Sequence, residues 1–385
     1  MYQPSGHHLA NPAFLWPAFA AASTSEMAAQ AAKQFAALAV GPDGAAAPEP
    51  RWATPHAIAL ELKTVRLRDF TVEAKGSPTL VCAPFALHGA AVADFATGHS
   101  LVAALRQAGL QRLFVTDWRS ATSEMRFLGV DDYLAELNVV VDEIGGRADL
   151  VGLCQGGWMA LVYAARFPAK VRKLVLAGAP IDIAAASSAL SRLAEATPLA
   201  VFHELVRLGD GLVPGRRVQK FWGVESVSTQ HVRQVLQIDD SCGAAALTRL
   251  EGSFWEWFSW TVDLPGVYFT EIVEKVFKRN EIATGSFVAL GERINLGTVK
   301  APMFMLAARD DELVAPAQLF AAERLVGTSP RNLCRMIVPC GHLGLFMGRT
   351  VLAQTWPKVV RWIRKLNSAD PAAALPDRIV SACRA

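Results

Sequence analysis

The chain is 385 residues long, with 52% hydrophobic and 19% charged residues. This size and composition allow a large buried core and exclude an intrinsically disordered binding protein. The formal net charge is +3 and no long basic run occurs, so the sequence lacks the electrostatic signature of nucleic-acid binding. The six cysteines include no C-x-x-C pair, which argues against a zinc ribbon or a disulfide scaffold and fits a reducing, cytoplasmic location.

Residues 1–50 are rich in Ala, Pro and Ser. Within them, residues 25–40 predict one amphipathic helix with Ser25 as its N-cap, which the sequence GPDGAAAPEP ends. We interpret this segment as a leader or docking helix, with attachment to a lipid or polymer inclusion as the alternative. The first 25 residues lack Lys and Arg, and Pro17 interrupts their apolar run, so we expect neither a signal peptide nor a membrane span.

From residue 64 onward, short apolar segments alternate with helical segments. TVRLRDF, TLVCAPF, RLFVTDW, ADLVGLC and VRKLVLAGAP predict strands, and GHSLVAALRQAG, DDYLAELNVVVDEIG and GGWMALVYAARFP predict helices between them. Continuous, β-branched apolar strands are typical of a mostly parallel sheet that is covered on both faces. Their alternation with helices predicts a doubly wound α/β fold.

The alternation stops at Pro180 and resumes with a predicted strand near residue 303. The intervening residues are mostly helical and include the aromatic cluster GSFWEWFSWTVDLPGVYF. We therefore assign residues 51–182 and 298–385 to an α/β core and residues 183–297 to a helical cap inserted into it. Residues 1–50 form a separate N-terminal segment in this division.

The sequence Gly152-Leu153-Cys154-Gln155-Gly156 has the G-x-S-x-G spacing of a nucleophile elbow, with cysteine in place of serine. A strand runs into Cys154 and a helix begins after it, so the positive end of the helix dipole favours a thiolate. We interpret Cys154 as the catalytic nucleophile, with a buried structural cysteine as the alternative. The backbone N–H of Gln155 is expected to donate to an oxyanion.

A thiolate nucleophile needs a base and an acid that orients the base. Of the histidines after Cys154, His203 and His231 fall in the helical insertion, whereas His342 follows the last predicted strand in CGHLGLF. We predict His342 as the base. The acid should follow the preceding strand, where Asp310 and Asp311 are adjacent; we favour Asp311.

The loop after an early strand, VCAPFALHG, should supply the second oxyanion donor, from the backbone N–H of Phe85 or Ala86. His88 lies beside it, and we interpret it as a residue of the pocket wall rather than a second base. Most aromatic residues of the insertion should form its own core, but Trp255 and Trp257 are candidates for binding an apolar acyl chain.

The box GLCQGG, followed by FPAKVRKLVLAGAPID, resembles the G-x-C-x-G-G box of polyhydroxyalkanoate synthases. The resemblance covers about residues 65–365, includes ARDDELVAP and CGHLGLF, and is greatest to the short, class III type. It implies the α/β-hydrolase fold and places Cys154, Asp311 and His342 on the family's triad positions. It also implies that the substrate is a 3-hydroxyacyl-CoA or a polyester, and that the protein binds no metal or cofactor. The resemblance further implies that the protein works at a polymer granule, with a second subunit or as a dimer.

The C-terminal part also resembles intracellular polyhydroxybutyrate depolymerases, which share the cysteine nucleophile and a CGH loop. Their nucleophile box departs from G-x-C-x-G-G, so the elbow favours the synthases. The chain departs from the synthases in turn, with Trp158 after Gly157 where they carry Gly-Thr, with His88 near a position where they carry Asn, and with Glu312 where they carry His. Because Trp158 should border the site, we count it among the substrate-binding candidates.

Three hypotheses follow from these residues. The first is an acyltransferase that polymerises 3-hydroxyacyl-CoA through a Cys154 thioester. The second keeps the same triad but transfers the acyl group to water, as a depolymerase or thioesterase would. The third is a non-catalytic, granule-associated protein, which a missing triad residue would favour; none is missing.

Overall fold

The computed structural model describes residues 47–221, 228–238 and 242–365. The helix predicted over residues 25–40 lies outside the described residues. The centre of the structure is an eight-stranded sheet. Its strands are β1 (Ala57–Glu61), β2 (Val65–Asp69), β3 (Thr79–Cys82), β4 (Leu113–Trp118), β5 (Ala148–Leu153), β6 (Val171–Ala177), β7 (Met303–Ala308) and β8 (Leu333–Val338).

The strands lie in the order β1-β2-β4-β3-β5-β6-β7-β8. Strand β2 is antiparallel to both of its neighbours, whereas all pairs from β4 to β8 are parallel. A sheet with this order and this single reversed strand is the α/β-hydrolase sheet. The predicted fold class is therefore confirmed.

Both faces of the central strands are buried. All six residues of β5 and all six of β7 are buried. Alternate residues belong to two different apolar clusters, with Leu150 and Leu174 on one face and Val151 and Val175 on the other. Each fully buried aliphatic side chain stabilises the fold by roughly 1.5–3 kcal/mol. Because helices cover both faces of the sheet, side chains on both faces of a central strand are buried, and this explains why these strands are continuous apolar runs in the sequence.

The α-helices are also numbered in chain order. They are α1 (Leu101–Gln107), α2 (Val130–Glu143), α3 (Gln155–Arg166), α4 (Ala189–Ala196), α5 (Leu199–Leu208), α6 (Gly215–Phe221), α7 (Thr229–Leu236), α8 (Ala244–Ser259), α9 (Gly266–Glu271), α10 (Glu281–Thr284), α11 (Pro316–Phe320), α12 (Ala322–Leu325), α13 (Gly344–Met347), α14 (Arg349–Gln354) and α15 (Trp356–Arg364). None of the helices in the described part of the chain combines the length and the hydrophobicity that a bilayer-spanning segment requires.

Helices α4 to α10 lie in the segment between β6 and β7, which we call the insertion (residues 183–297). Helix α9 continues as a π-helix over Ile272–Lys278. The insertion has its own apolar cluster, which includes Leu193, Phe202 and Phe269 and packs against Leu87 and Leu313. Since Leu87 and Leu313 follow β3 and β7, the insertion covers the carboxyl-end edge of the sheet.

Candidate active site

The turn between β5 and α3 carries Cys154. Its backbone has φ 49 and ψ −119, so Cys154 is among the few non-glycine residues with positive φ in the described chain. Such a conformation is strained and is typical of functional turns that a rigid scaffold holds in place. The backbone N–H of Cys154 donates to the carbonyl of Ala177 (2.9 Å), which ties the turn to the end of β6.

Three glycines allow the elements around this turn to approach closely. A Cβ atom at Gly156 would lie 2.1 Å from the carbonyl oxygen of Cys82, and one at Gly157 would lie 2.3 Å from the Cβ of Ala179. A Cβ atom at Gly152 would lie 2.5 Å from the Cα of Gly157. The three glycines of the G-x-C-x-G-G box therefore match three places where backbone packs against backbone or against a small side chain.

The loops after β7 and β8 bring an acid and a histidine together. The Nδ1 of His342 lies 2.8 Å from Oδ2 and 3.1 Å from Oδ1 of Asp311, and the two side chains are only 3% and 1% exposed. The backbone N–H groups of Leu313 and Val314 donate to Oδ1 of Asp311 and fix its carboxylate. Asp310 instead points to solvent beside Arg309, so Asp311 is the residue that contacts the histidine.

The imidazole of His342 also interacts with Cys154. Burial disfavours its charged form, but the charges of Asp311 and Cys154, with the hydrogen bonds that the ring donates to both side chains, raise the pKa of His342 well above its ordinary value. Because Nδ1 contacts Asp311, the Nε2 of His342 is left for the sulfur. Gly178, at φ 56, leaves room for the ring, since a Cβ atom there would lie 3.1 Å from Cε1 of His342.

A second carboxylate, that of Glu312, lies close to the same loop. The backbone N–H of His342 donates to Oε2 of Glu312 (3.2 Å). Burial raises the pKa of Glu312, the charge of His342 lowers it, and the charge of Asp311 raises it. Glu312 therefore holds the backbone of the histidine loop while Asp311 holds the imidazole.

A cavity of about 200 Å³ opens onto Cys154 and His342. The loop after β3 lines it with Phe85 and Ala86, and Gln155 lines it at the start of α3. The predicted oxyanion donors thus belong to residues of one cavity. The insertion contributes a largely apolar wall, which includes Leu193, Phe202, Trp257, Phe269, Ile272 and Phe277.

The four residues predicted to bind substrate differ in whether they line this cavity. His88 and Trp257 line the cavity. Trp158 and Trp255 are not among its lining residues. Trp158 is fully buried in the core, and its indole N–H donates to the side-chain oxygen of Gln155 (2.6 Å). Trp158 therefore positions Gln155 from behind instead of contacting a bound acyl group.

His88 is a fixed part of the cavity wall. Its Nδ1 lies 3.0 Å from the carbonyl oxygen of Trp260, to which it donates. Its ring stacks on Phe258 (4.9 Å between ring centroids) and lies 4.6 Å from Trp257. Burial lowers the pKa of His88 to about 4, although the hydrogen bond to Trp260 opposes this effect. The ring is therefore neutral at physiological pH.

Several lining residues were not among the site residues predicted from the sequence. Phe269, Ile272 and Phe277 lie on α9 and the π-helix that continues it, and all three line the cavity. Their apolar side chains have the same pattern as ordinary core residues. Only the position of the insertion above the sheet identifies them as part of the wall.

Known proteins that are similar to this chain place it in a family. Residues 52–371 match a family model described as "Protein of unknown function (DUF3141)". The poly(3-hydroxyalkanoate) polymerase subunit PhaC of Synechocystis is 30% identical over 286 residues, which are 70% of this chain and 73% of that protein. The chain belongs to the DUF3141 family and to the PhaC family.

The relationship extends to other PhaC subunits. That of Allochromatium vinosum is 25% identical over 265 residues, which are 66% of this chain and 72% of that protein. Among solved structures, a monoacylglycerol lipase of Paleococcus ferrophilus is similar with a TM-score of 0.49 and 16% identity, over 78% of this chain and 98% of the lipase. The relationship to PhaC and the sheet topology make the chain an enzyme of the α/β-hydrolase superfamily.

The turn geometry predicts the effect of adding one methyl group. Gly156→Ala forces a Cβ atom against the carbonyl oxygen of Cys82, and we expect it to lower the free energy of unfolding by about 1–3 kcal/mol. Gly252→Ala is the matched control, because Gly252 is exposed in α8 with nothing within 4 Å of an added Cβ. It should raise the free energy of unfolding by about 0.5–1 kcal/mol. Urea unfolding measures both, and equal effects would contradict the packing argument.

The neutral state of His88 predicts a loss of stability in acid. Its pKa is about 4 in the folded protein and about 6.5 in the unfolded chain, so the unfolded chain binds an extra proton between these values. The free energy of unfolding should fall as the pH drops from about 6.5 to about 4, and His88→Phe should remove about 1–3 kcal/mol of that fall. His203→Gln, an exposed histidine of α5, is the control. The prediction is wrong if both variants retain the full acid dependence in urea titrations.

Proposed function

We propose that the protein transfers acyl groups through a thioester on Cys154 and polymerises 3-hydroxyacyl-CoA into a polyester. The contact of Asp311 with His342 at 2.8 Å, next to Cys154 in an apolar cavity, carries this proposal. The names of the relatives support it, since they are poly(3-hydroxyalkanoate) polymerase subunits.

The first half of the proposed reaction forms the acyl-enzyme. Nε2 of His342 holds the proton given up by the Cys154 thiol while the sulfur attacks the thioester carbon of the substrate. The N–H groups of Gln155 and of Phe85 or Ala86 stabilise the oxyanion. When the intermediate collapses, the bond to coenzyme A breaks, and the coenzyme A thiolate takes the proton from His342. The carboxylate of Asp311 stabilises the imidazolium throughout.

The second half transfers the acyl group to a hydroxyl. The hydroxyl at the end of a 3-hydroxyacyl chain gives its proton to His342 while its oxygen attacks the Cys154 thioester. The carbon–sulfur bond then breaks, an ester bond remains, and the sulfur recovers the proton from His342. No resident cofactor takes part, since coenzyme A enters and leaves with the substrate.

The acceptor of the acyl group decides between a synthase and a hydrolase with the same triad. A cavity whose wall is largely apolar side chains of the insertion favours an acyl chain over water. The departure at Trp158 does not alter the wall, because this side chain is buried behind Gln155. Glu312 donates no proton in the proposed mechanism and instead accepts the backbone N–H of His342. The apolar wall supports transfer to a hydroxyl, and neither Trp158 nor Glu312 opposes it.

The same proposal includes where the protein acts and with what. We propose that the polyester product keeps the enzyme at the surface of a polymer granule. The relatives are named as polymerase subunits, which supports a second subunit for this chain.

Two substrates separate synthesis from breakdown. We expect purified protein given 3-hydroxybutyryl-CoA to release coenzyme A and form polymer, measured by thiol titration and gel permeation chromatography. Amorphous polyhydroxybutyrate granules should release little soluble 3-hydroxybutyrate. Cys154→Ala should lower coenzyme A release by at least about three orders of magnitude, because it removes the nucleophile.

Cys334→Ala is the matched control, since Cys334 lies on β8 and is not among the lining residues of the cavity. It should retain activity within about twofold, because surface or half-buried substitutions away from the site have small effects. Release of soluble 3-hydroxybutyrate from granules without polymer growth would replace the synthase with a depolymerase. Equal activity of the wild type and Cys154→Ala would exclude the thioester mechanism.

A further inference from the structure

Two buried polar atoms in the wall of the cavity have no hydrogen-bond partner. They are Nε2 of His88 and Nε1 of Trp257. Both residues line the cavity that holds Cys154 and His342, and their ring centroids lie 4.6 Å apart. A buried polar atom without a partner costs about 1–3 kcal/mol, so two such atoms on neighbouring rings of an apolar wall point to a polar group that binds to both.

The hydrogen bond of His88 defines what its free nitrogen can do. The carbonyl oxygen of Trp260 only accepts, so Nδ1 of His88 must carry the proton of the neutral ring. Nε2 therefore has a free lone pair and is an acceptor. Because burial holds the pKa of His88 at about 4, this ring remains an acceptor at physiological pH.

The acceptor is held in one place. The backbone N–H of Val262 donates to the carbonyl of Leu87 (2.8 Å), which joins the loop after β3 to the segment that follows α8. Gly89, at φ 61, packs against Trp260, where an added Cβ atom would lie 2.8 Å from the indole ring. The ring of His88 stacks on Phe258. A fixed acceptor of this kind discriminates between ligands, because it cannot turn to a new partner.

Trp257 supplies the complementary group. An indole Nε1–H only donates, and the side chain of Trp257 is 2% exposed between the rings of Phe95 and Phe254. One acceptor and one donor on neighbouring rings match a hydroxyl, which donates and accepts through a single oxygen. A carboxylate would be repelled by the lone pair of His88, and an ammonium group would be repelled by the indole N–H.

We propose that His88 and Trp257 recognise the 3-hydroxyl of the bound acyl group, with the hydroxyl donating to Nε2 of His88 and accepting from Nε1–H of Trp257. The inference rests on the proposed function, which places the acyl carbonyl at Cys154. According to this inference, the pair makes the protein bind 3-hydroxyacyl thioesters more tightly than acyl thioesters that lack the hydroxyl.

The test measures binding without turnover. In a Cys154→Ala background, isothermal titration calorimetry compares 3-hydroxybutyryl-CoA, as each enantiomer, with butyryl-CoA. We expect one enantiomer of the hydroxyl ligand to bind about tenfold more tightly than butyryl-CoA, as expected for a buried hydroxyl with both hydrogen bonds made. His88→Phe and Trp257→Phe, each added to Cys154→Ala, should reduce this ratio to about threefold or less, since each removes one of the two hydrogen bonds.

Trp255→Phe is the matched control, because Trp255 is on the same helix but is not among the lining residues, and it should keep the tenfold ratio. A variant that only loosens the fold weakens the binding of both ligands and leaves the ratio of their affinities unchanged. If His88→Phe is unstable, Trp257→Phe still tests the inference. Equal affinities for both ligands, binding of neither, or an unchanged ratio in both variants would overturn the inference. A preserved ratio in a protein that makes no polymer would overturn the proposed function alone.

Discussion

The rest of the site depends on one backbone constraint, the positive φ of Cys154 between β5 and α3. A non-glycine residue in such a conformation costs on the order of 1–3 kcal/mol and persists only where the surroundings hold it. Here the surroundings are the close packing of Gly156 against backbone and of Gly157 against Ala179, and the hydrogen bond from Cys154 to Ala177. Because both faces of the sheet are buried, the core supplies the stability that offsets this strain.

The turn places the sulfur at the carboxyl-end edge of a parallel sheet, where the loops after β3, β7 and β8 also end. In this arrangement His342 and Asp311 are almost completely buried and partner one another. Removal of either partner would leave the other as a buried group without compensation. The pKa of His88 is shifted in the opposite direction to that of His342. Its burial is not offset by a neighbouring charge, so the ring stays neutral. The same apolar cavity thus holds His342, whose protonated form is favoured, and His88, whose neutral ring accepts a hydrogen bond.

Much of this arrangement could be predicted from the sequence. The alternation of apolar strands with helices predicted the fold class, and the order of Cys154, Asp311 and His342 along the chain predicted loops that meet at one sheet edge. The choice between Asp310 and Asp311 needed coordinates, because adjacent residues in a loop differ only in the direction of their side chains. Only the structure distinguishes the exposed carboxylate from the one that accepts from two backbone N–H groups.

The aromatic residues were harder to place. Trp255 and Trp257 are two positions apart on one helix, so their side chains point about 200° apart around its axis, and only Trp257 reaches the cavity. Trp158 lies in the first turn of α3, but its side chain is turned toward the core and Phe287. Proximity in sequence to the nucleophile did not predict contact with the cavity, because the face of the helix decides it.

The central claim of this account is that Cys154 carries the acyl group. Its most direct test is mass spectrometry of protein mixed with 3-hydroxybutyryl-CoA and quenched in acid within the first turnover. We predict that the peptide containing Cys154 gains the mass of a hydroxybutyryl group or a short oligomer, and that hydroxylamine removes it as expected for a thioester. An unmodified Cys154 peptide while coenzyme A is released, or the same modification on another residue, would contradict the account.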